Sequence, residues 1–179
     1  MDFSDTCEGI EEQVVDLFAA TFTTSEGAEE GVLIGDLVRN LLSGTPRKDL
    51  YVFTAQDLGE VIGGAVFSRL TYSDDPRSVF ILSPMAVATD RHGQGIGQAL
   101  LKYALDVLRD DGVDVAITYG DPAFYGKVGF LPIDKETAAA PLPLSLPEGW
   151  IGQSLTDEPF HALKGKCACV AALDDPTIW

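Results

Sequence analysis

The sequence predicts an α/β domain with a mixed sheet flanked by helices, and three observations indicate this class. The element order is two helices, three strands, a helix, a strand, a short helix and further strands. A glycine-rich loop at residues 90–100 follows a strand and opens a helix. The chain has 179 residues, of which 46% are hydrophobic and 22% charged, enough for one sizeable core. We therefore expect residues 1–179 to form a single domain.

The first part of the chain has the spacing of two amphipathic helices. Residues 8–22 form the first, with glutamates in its first turn, and residues 29–43 form the second, with Gly44 as its stop. The residues that recur at helical spacing are Ile10, Val14, Leu17, Phe18 and Thr21 in the first helix and Ile34, Leu37, Val38, Leu41 and Leu42 in the second.

Strand-like segments follow the two helices. The pattern predicts a hairpin formed by Leu50–Ala55 and Glu60–Leu70. It then predicts an Asp-rich turn at Thr71–Arg77 and, before the glycine loop, a strand at Ser78–Ala88. Pro84 has no N–H, so the ladder must break there, as at a bulge. Alternatively, Pro84 only marks the end of a strand.

After the loop, residues 95–110 predict a helix and Val113–Tyr119 a strand. Asp121 is an N-cap candidate with Pro122 at the first position of a short helix. Residues 138–149 hold several prolines and are expected to cover apolar surface as an extended connector. Candidate strands in the tail are Trp150–Leu155 and Cys167–Leu173.

Composition excludes several classes of function. The net charge of −16 argues against nucleic acid and anionic membranes as partners. It is compatible with a cationic amine substrate, but charges spread along the chain are also typical of a solvated surface. No apolar run reaches the roughly 18 residues of a membrane span, and the N-terminus lacks signal-peptide features, so we expect a cytoplasmic protein. Two histidines and three cysteines at these spacings predict no metal site and reduced structural thiols.

The glycine-rich loop, Asp90-Arg91-His92-Gly93-Gln94-Gly95-Ile96-Gly97-Gln98-Ala99-Leu100, has the features of an anion site. Glycines allow close backbone approach, and a helix N-terminus presents unpaired N–H groups to a phosphate. A P-loop is excluded because Gly97 is followed by Gln98 and Ala99 rather than Lys and Ser or Thr. A dinucleotide fingerprint is excluded because the glycines run G-x-G-x-G and residues 88–92 separate them from the strand.

The loop resembles the coenzyme A loop of the GNAT superfamily of N-acyltransferases, Q/R-x-x-G-x-G/A, with His92 standing where Gln or Arg is usual. A second segment, Gly120-Asp121-Pro122-Ala123-Phe124-Tyr125-Gly126-Lys127-Val128-Gly129-Phe130, resembles the later signature Tyr-x-x-x-Gly-Phe of the family. It is most similar to a bacterial subgroup with Gly-Asp-Pro before the aromatic pair. The resemblance covers residues 50–133, the acyl-CoA-binding core, and leaves 134–179 as a C-terminal extension.

This resemblance implies a mostly antiparallel central sheet with a splayed strand pair, and acetyl-CoA as co-substrate without a metal. It places the main chain of Met85, Ala86 and Val87 against pantetheine. The residues implied around the pyrophosphate are His92, Gly93, Gln94, Gly95, Ile96, Gly97 and Gln98. Alternatively, these residues do not bind phosphate: His92 faces solvent in the loop, and the glycines serve a tight turn and close packing of the helix on the sheet.

Tyr125 takes the general-acid position that the resemblance implies. A phenol with a pKa near 10 can donate to a thiolate whose thiol has a pKa near 8.5 as the C–S bond breaks. The alternative is an aromatic side chain packed beside Phe124 and Phe130. No acid lies in Val79–Leu82, and no base is assigned; Ser83 could hold a water, and the acids considered are Glu60, Asp74 and Asp75.

We therefore expect an acyl-CoA-dependent N-acetyltransferase that transfers an acetyl group from acetyl-CoA, by direct attack, to a primary amine of a small molecule or protein. The alternative is a non-catalytic acyl-CoA-binding or regulatory module. The sequence does not identify the acceptor amine. A homodimer is considered because apolar elements, among them Trp150 and Trp179, lie near the end of the chain.

Overall fold

A computed structural model describes all residues from 1 to 179. The helices are α1 (Glu11–Glu26), α2 (Ala28–Gly44), α3 (Ile96–Asp110) and α4 (Pro122–Tyr125). The strands are β1 (Asp2–Ser4), β2 (Leu50–Asp57), β3 (Glu60–Tyr72), β4 (Asp75–Val87), β5 (Val115–Tyr119), β6 (Leu131–Pro132), β7 (Trp150–Ser154) and β8 (Cys167–Ala168). None of the helices is both long and apolar enough to cross a bilayer.

The strands form one sheet in the order β1-β2-β3-β4-β5-β7-β6, and β8 pairs with β3. β4 and β5 pair in parallel, whereas β1 with β2, β3 with β8, β5 with β7 and β6 with β7 pair antiparallel. The predicted mixed, mostly antiparallel sheet flanked by helices is confirmed. The β4–β5 register ends at the pair Leu82–Thr118, although β4 continues to Val87. The pairing of β4 with β5 thus stops just before Pro84, where the sequence predicts the break.

The chain divides into two compact units. The first comprises Met1–Phe67 and Pro84–Ala104, and the second comprises Ser68–Ser83 and Leu105–Trp179. A single N-acetyltransferase domain over residues 1–179 stays a prediction.

In the first unit, small residues allow close packing of the helices and the sheet. α1 and α2 approach closely where a β-carbon added at Gly35 would lie 3.1 Å from the Ala19 β-carbon. Phe18 of α1 is fully buried, and a β-carbon added at Gly64 of β3 would lie 2.7 Å from its ring. The predicted apolar faces of both helices are therefore the buried ones, although α1 begins three residues later and ends four residues later than predicted.

In the second unit, the connector at residues 138–149 covers apolar surface, as predicted. Trp150, only 1% exposed, donates its indole N–H to the Ala138 carbonyl at 2.9 Å. The Tyr72 hydroxyl donates to the Ala139 carbonyl at 2.7 Å. These bonds satisfy backbone acceptors that the proline-rich segment cannot place in a ladder.

The prediction of a long turn over Thr71–Arg77 is wrong, because β3 runs to Tyr72 and β4 begins at Asp75. The Arg77 side chain donates to Asp75 and also to the carbonyls of His161 at 2.9 Å and Ala162 at 2.8 Å. These contacts hold the tail beside the hairpin and keep the acidic segment extended.

Other differences concern short strands. The strand predicted over Cys167–Leu173 covers only Cys167–Ala168, because β8 pairs only with the last two residues of β3 and a turn of 3₁₀ helix follows at Ala171–Leu173. β1 and β6 were not predicted, since segments of three and two residues show no alternation. β1 is held by pairing with β2 and by Phe3, which stacks on Tyr103 at 5.6 Å.

Candidate active site

The end of β4 leads into the glycine-rich loop within the first unit. The Ala88 amide donates to the Ile62 carbonyl of β3 at 2.9 Å, and one turn of 3₁₀ helix follows. Gly93 and Gly95 both have φ of +77°, and no atom lies within 4 Å of a β-carbon added at either position. Other residues rarely adopt this left-handed conformation. The loop therefore needs glycine for its path, and the space around both glycines is open.

The start of α3 presents unused backbone donors beside these glycines. The first helical hydrogen bond runs from the Ala99 amide to the Gly95 carbonyl at 3.0 Å, so the three preceding amides have no acceptor within the helix. These donors belong to Ile96, Gly97 and Gln98. No acidic side chain lies in the first turn of α3. A bound anion would therefore meet free N–H groups and the positive end of a 15-residue helix.

His92, the unusual residue of the loop, has a defined partner. Its Nε2 atom lies 2.8 Å from the Val87 carbonyl oxygen. A carbonyl can only accept, so the ring must carry its donated proton on Nε2. The exposed histidine thus ties the loop to the last residue of β4.

Arg91 forms a second tie between the loop and the sheet. Its guanidinium lies 3.2 Å from Asp57 at the end of β2 and 3.8 Å from Asp90. Sequence reasoning missed Asp57, because it lies 34 residues from Arg91 in the chain and no local pattern links the two. The charge of Arg91 is therefore paired rather than free for a phosphate.

A cavity of about 490 Å³ lies beside the first residues of this loop. Three carboxylates line it: Asp16 of α1, Glu60 at the start of β3, and Asp90. Its other polar lining residues are Gln13, Thr21, Thr24 and Thr89. A cation would be favoured there over an anion.

In the second unit, Tyr125 is the last residue of α4. Asp121 caps this helix by accepting from the Ala123 amide at 2.9 Å, and Pro122 takes the first helical position, as predicted. A β-carbon added at Gly120 would lie 2.7 Å from Cε2 of the Tyr125 ring. Phe124 and Phe130 place their rings at steep angles to the Tyr125 ring, with centroids 5.0 and 5.8 Å away. The ring orientation is thus fixed by contacts from three residues.

Burial raises the pKa of Tyr125 to about 12. The Thr118 hydroxyl acts to lower this pKa, and the negative charge of Asp121 acts to raise it. The phenol is therefore protonated near neutral pH and can donate. An ordinary thiol has a pKa near 8.5, so complete proton transfer from this phenol to a thiolate is unfavourable without further stabilisation of the phenolate.

Thr118 is absent from the predicted site residues. It is only 1% exposed, and its hydroxyl donates to the Leu82 carbonyl at 2.9 Å. The signal that could have found it is a polar residue that follows the buried run Val115–Ile117 on the same strand. A buried hydroxyl requires a partner, and here the partner is the Leu82 carbonyl.

Of the residues considered as a general base, Asp75 is made unsuitable by its contacts in the structure. Asp75 is engaged by Arg77, whose hydrogen bonds hold the pKa of this carboxyl well below its usual range, so Asp75 is a poor base. Asp74 is exposed in the β3–β4 turn, and Ser83 is half-buried on β4. No three His, Cys, Asp or Glu side chains form a metal-binding group.

Comparison with known proteins decides the family. The Acetyltransferase (GNAT) domain family matches residues 48–132. The N-acetyltransferase YjhQ of Escherichia coli (strain K12), described as uncharacterized, is 30% identical over 140 residues, which cover 75% of this chain and 76% of YjhQ.

The chain belongs to the GNAT acetyltransferase family. Family membership confirms the prediction of an acyl-CoA-dependent N-acyltransferase.

Solved GNAT structures share the fold. The crystal structure of the GNAT family N-acetyltransferase YhbS from Escherichia coli in complex with CoA has a TM-score of 0.80 at 22% identity, covering 97% of this chain and 92% of YhbS. A GNAT family acetyltransferase from Brucella melitensis in complex with acetyl-CoA has a TM-score of 0.75 at 22% identity, covering 97% of each chain. The expected GNAT-like architecture is therefore confirmed.

Proposed function

We propose that this GNAT protein binds acetyl-CoA, with the pyrophosphate on the loop 93–98, and transfers the acetyl group to a primary amine. One observation carries the proposal. Two open glycines with φ of +77° precede three backbone amides that have no acceptor within α3. This arrangement suits two adjacent phosphates, because the backbone can approach closely and each amide can donate.

Backbone amides also explain how a negatively charged protein can bind an anionic ligand. The chain carries a net charge of −16, and coenzyme A is itself an anion. Amide donors and a helix dipole attract phosphate locally without a free cation, and Arg91 already pairs with Asp57. In this proposal Gly93, Gln94 and Gly95 curve around the phosphates, Ile96, Gly97 and Gln98 donate to them, and His92 holds the loop closed on β4.

The pantetheine arm is assigned to the end of β4. The register with β5 ends at Leu82, whereas β4 continues to Val87. The backbone groups of Met85, Ala86 and Val87 then serve an extended ligand as a neighbouring strand would. The solved structures of two relatives in complex with CoA and acetyl-CoA support a ligand of this class.

The chemistry is direct attack of a neutral amine on the thioester carbonyl. The N–C bond forms, the C–S bond breaks, and the departing sulfur receives a hydrogen bond or proton from the Tyr125 hydroxyl. The nitrogen loses one proton to solvent, and solvent returns one to the phenol when transfer is complete. Tyr125 is suited to this role because it is protonated near neutral pH and its ring is held in place.

The test is acetyl transfer to a panel of amines, measured as acetylated product by mass spectrometry. Product detection is preferable to a thiol-reactive dye, because Cys7, Cys167 and Cys169 are free and partly exposed. The acidic cavity of Asp16, Glu60 and Asp90 makes amines with a second positive charge the first members of the panel.

Acetylated product from at least one amine, dependent on protein and acetyl-CoA, is the expected result. The opposite result would be thermal stabilisation by CoA without product from any amine. It would assign the chain to the alternative class, a non-catalytic acyl-CoA-binding module.

A further inference from the structure

We propose that Gly149 is a positioning residue for Tyr125: its backbone holds Gly120 in place, and the Tyr125 ring rests on Gly120. The inference rests on the proposed function, because it assumes that Tyr125 serves as the acid. It gives the C-terminal extension, residues 134–179, a part in the reaction, although this segment lies beyond the residues 48–132 that match the GNAT family.

The first contact joins Gly120 to the Tyr125 ring. A β-carbon added at Gly120 would lie 2.7 Å from Cε2, 3.4 Å from Cδ2 and 3.7 Å from Cζ of that ring. Cζ carries the phenol oxygen, and no side chain separates the ring from the Gly120 backbone. Because a packed interior transmits small shifts, a movement of Gly120 moves the oxygen that would donate to sulfur.

The second contact joins Gly120 to Gly149, which lies just before β7. The Gly120 amide donates to the Gly149 carbonyl at 3.0 Å. A β-carbon added at Gly149, which is buried, would lie 3.1 Å from the Gly120 carbonyl oxygen. The two backbones approach this closely because neither residue has a side chain. Gly149 therefore limits where Gly120 can lie.

Tyr119, the residue before Gly120, is held by the same part of the extension. Its hydroxyl lies 2.9 Å from Ser145 Oγ and accepts from the Leu146 amide. A β-carbon added at Gly149 would lie 3.2 and 3.3 Å from two carbons of the Tyr119 ring. Residues 145–149 thus contact both residues at the end of β5 that precede the helix of Tyr125.

The size of the effect follows from these distances. Ordinary contact with a β-carbon begins near 3.4 Å, so alanine at position 149 would displace Gly120 by about 0.3 Å. A misplacement of about 1 Å can cost roughly 100-fold in rate, so a third of that distance corresponds to about 3- to 5-fold. The loss should fall on kcat, because the main chain and loop assigned to coenzyme A are not touched.

The test compares Gly149→Ala with Gly152→Ala as a matched control. Gly152 is also buried, and its added β-carbon would lie 3.0 Å from the Phe160 ring and 3.3 Å from the Ala116 carbonyl oxygen. Neither glycine has a positive φ, so alanine tests space alone at both positions. Both variants therefore meet similar crowding, but only the one at position 149 presses on Gly120.

Gly149→Ala is expected to lower kcat by about 3- to 5-fold, with KM for acetyl-CoA within about 2-fold of the wild-type value. Gly152→Ala should keep kcat within about 1.5-fold. In the Tyr125→Phe background, Gly149→Ala should lower kcat no further, because the phenol oxygen that it displaces is gone. A loss of packing alone would lower kcat equally in both backgrounds.

Tyr119→Phe is a second variant that adds no atom and removes the bonds to Ser145 and Leu146. It keeps the test valid if Gly149→Ala impairs folding, and it should lower kcat by about 2- to 3-fold, again only while Tyr125 is present.

The proposal is overturned if Gly149→Ala and Gly152→Ala have equal kcat values, or if Gly149→Ala or Tyr119→Phe lowers kcat equally with and without the phenol of Tyr125. An unchanged kcat in Tyr125→Phe alone would instead remove the acid on which the proposed function depends, so the two failures are distinguishable.

Discussion

The hairpin between β3 and β4 gives a sharp test of what holds the tail in place. The Asp75 side chain is only 5% exposed. One oxygen accepts from the Arg77 amide at 3.1 Å and from Arg77 Nε at 2.9 Å. The other accepts from a terminal guanidinium nitrogen of Arg77 at 2.8 Å and from the Lys164 amide at 3.2 Å. In Asp75→Asn one oxygen remains and can still accept two of these hydrogen bonds. The other oxygen is replaced by an NH₂ group, which cannot accept the remaining two.

The expected cost follows from those two lost bonds. Hydrogen bonds to charged groups are worth roughly 1.5–3 kcal/mol each when buried, and the 27% exposure of Arg77 reduces that value. We expect Asp75→Asn to lower the free energy of unfolding by about 2–3 kcal/mol. For a chain of this size, that loss lowers Tm by roughly 4–12 °C.

The pH dependence has a defined sign. The hydrogen bonds of Arg77 lower the pKa of Asp75 in the folded state, below an unfolded value of about 3.9. The stabilisation is therefore complete above the unfolded pKa and is lost as the pH falls towards the folded pKa. The difference between wild type and Asp75→Asn should be constant from about pH 7 to pH 5 and should narrow below about pH 4.

Urea denaturation across that pH range measures the effect, and Asp74→Asn is the matched control. Asp74 is the neighbouring residue, carries the same charge and is exposed. The free energy of unfolding of the control should lie within about 0.5 kcal/mol of the wild-type value. If Asp75→Asn is as stable as the control at pH 7, the hydrogen bonds of Asp75 do not stabilise the fold as argued. If the difference in unfolding free energy between wild type and Asp75→Asn does not change with pH, the charge of Asp75 is not its cause.

Two further substitutions test the candidate acid and the β2–β3 turn. Gly120→Ala should lower kcat by about 10-fold, because the added β-carbon would lie 2.7 Å from the Tyr125 ring. Gly126→Ala is the control and should leave kcat unchanged, because the space around Gly126 is open. Equal kcat values for the two variants would contradict the packing argument. Leu58→Asn should raise the free energy of unfolding by about 0.5–1 kcal/mol in urea titrations, because Leu58 has φ of +51° and is fully exposed. Leu58→Ala should give no such gain, and a less stable Leu58→Asn protein would show that the turn needs leucine.

The parts of the fold that sequence could predict are those with local causes. The α3 helix and its glycine loop follow from glycine conformation and helical spacing, and the Asp121 cap follows from one side chain and one amide. The predicted helix faces are buried because their period is set within one element. Long-range contacts were inaccessible, since the Arg77 bonds to carbonyls in the tail span more than 80 residues. Thr118 was missed for the same reason, because its partner, the Leu82 carbonyl, lies on another strand.

The central claim is that the amides at the start of α3 hold the phosphates of coenzyme A. Calorimetric titration of CoA into Gly95→Asp and Gly112→Asp tests it most directly. Both glycines have positive φ, +77° and +83°, with open space around a β-carbon, so the two variants share charge and backbone strain. The account predicts that Gly95→Asp raises the Kd for CoA by about 10-fold or more and that Gly112→Asp leaves it unchanged. Equal affinities in the two variants would contradict it.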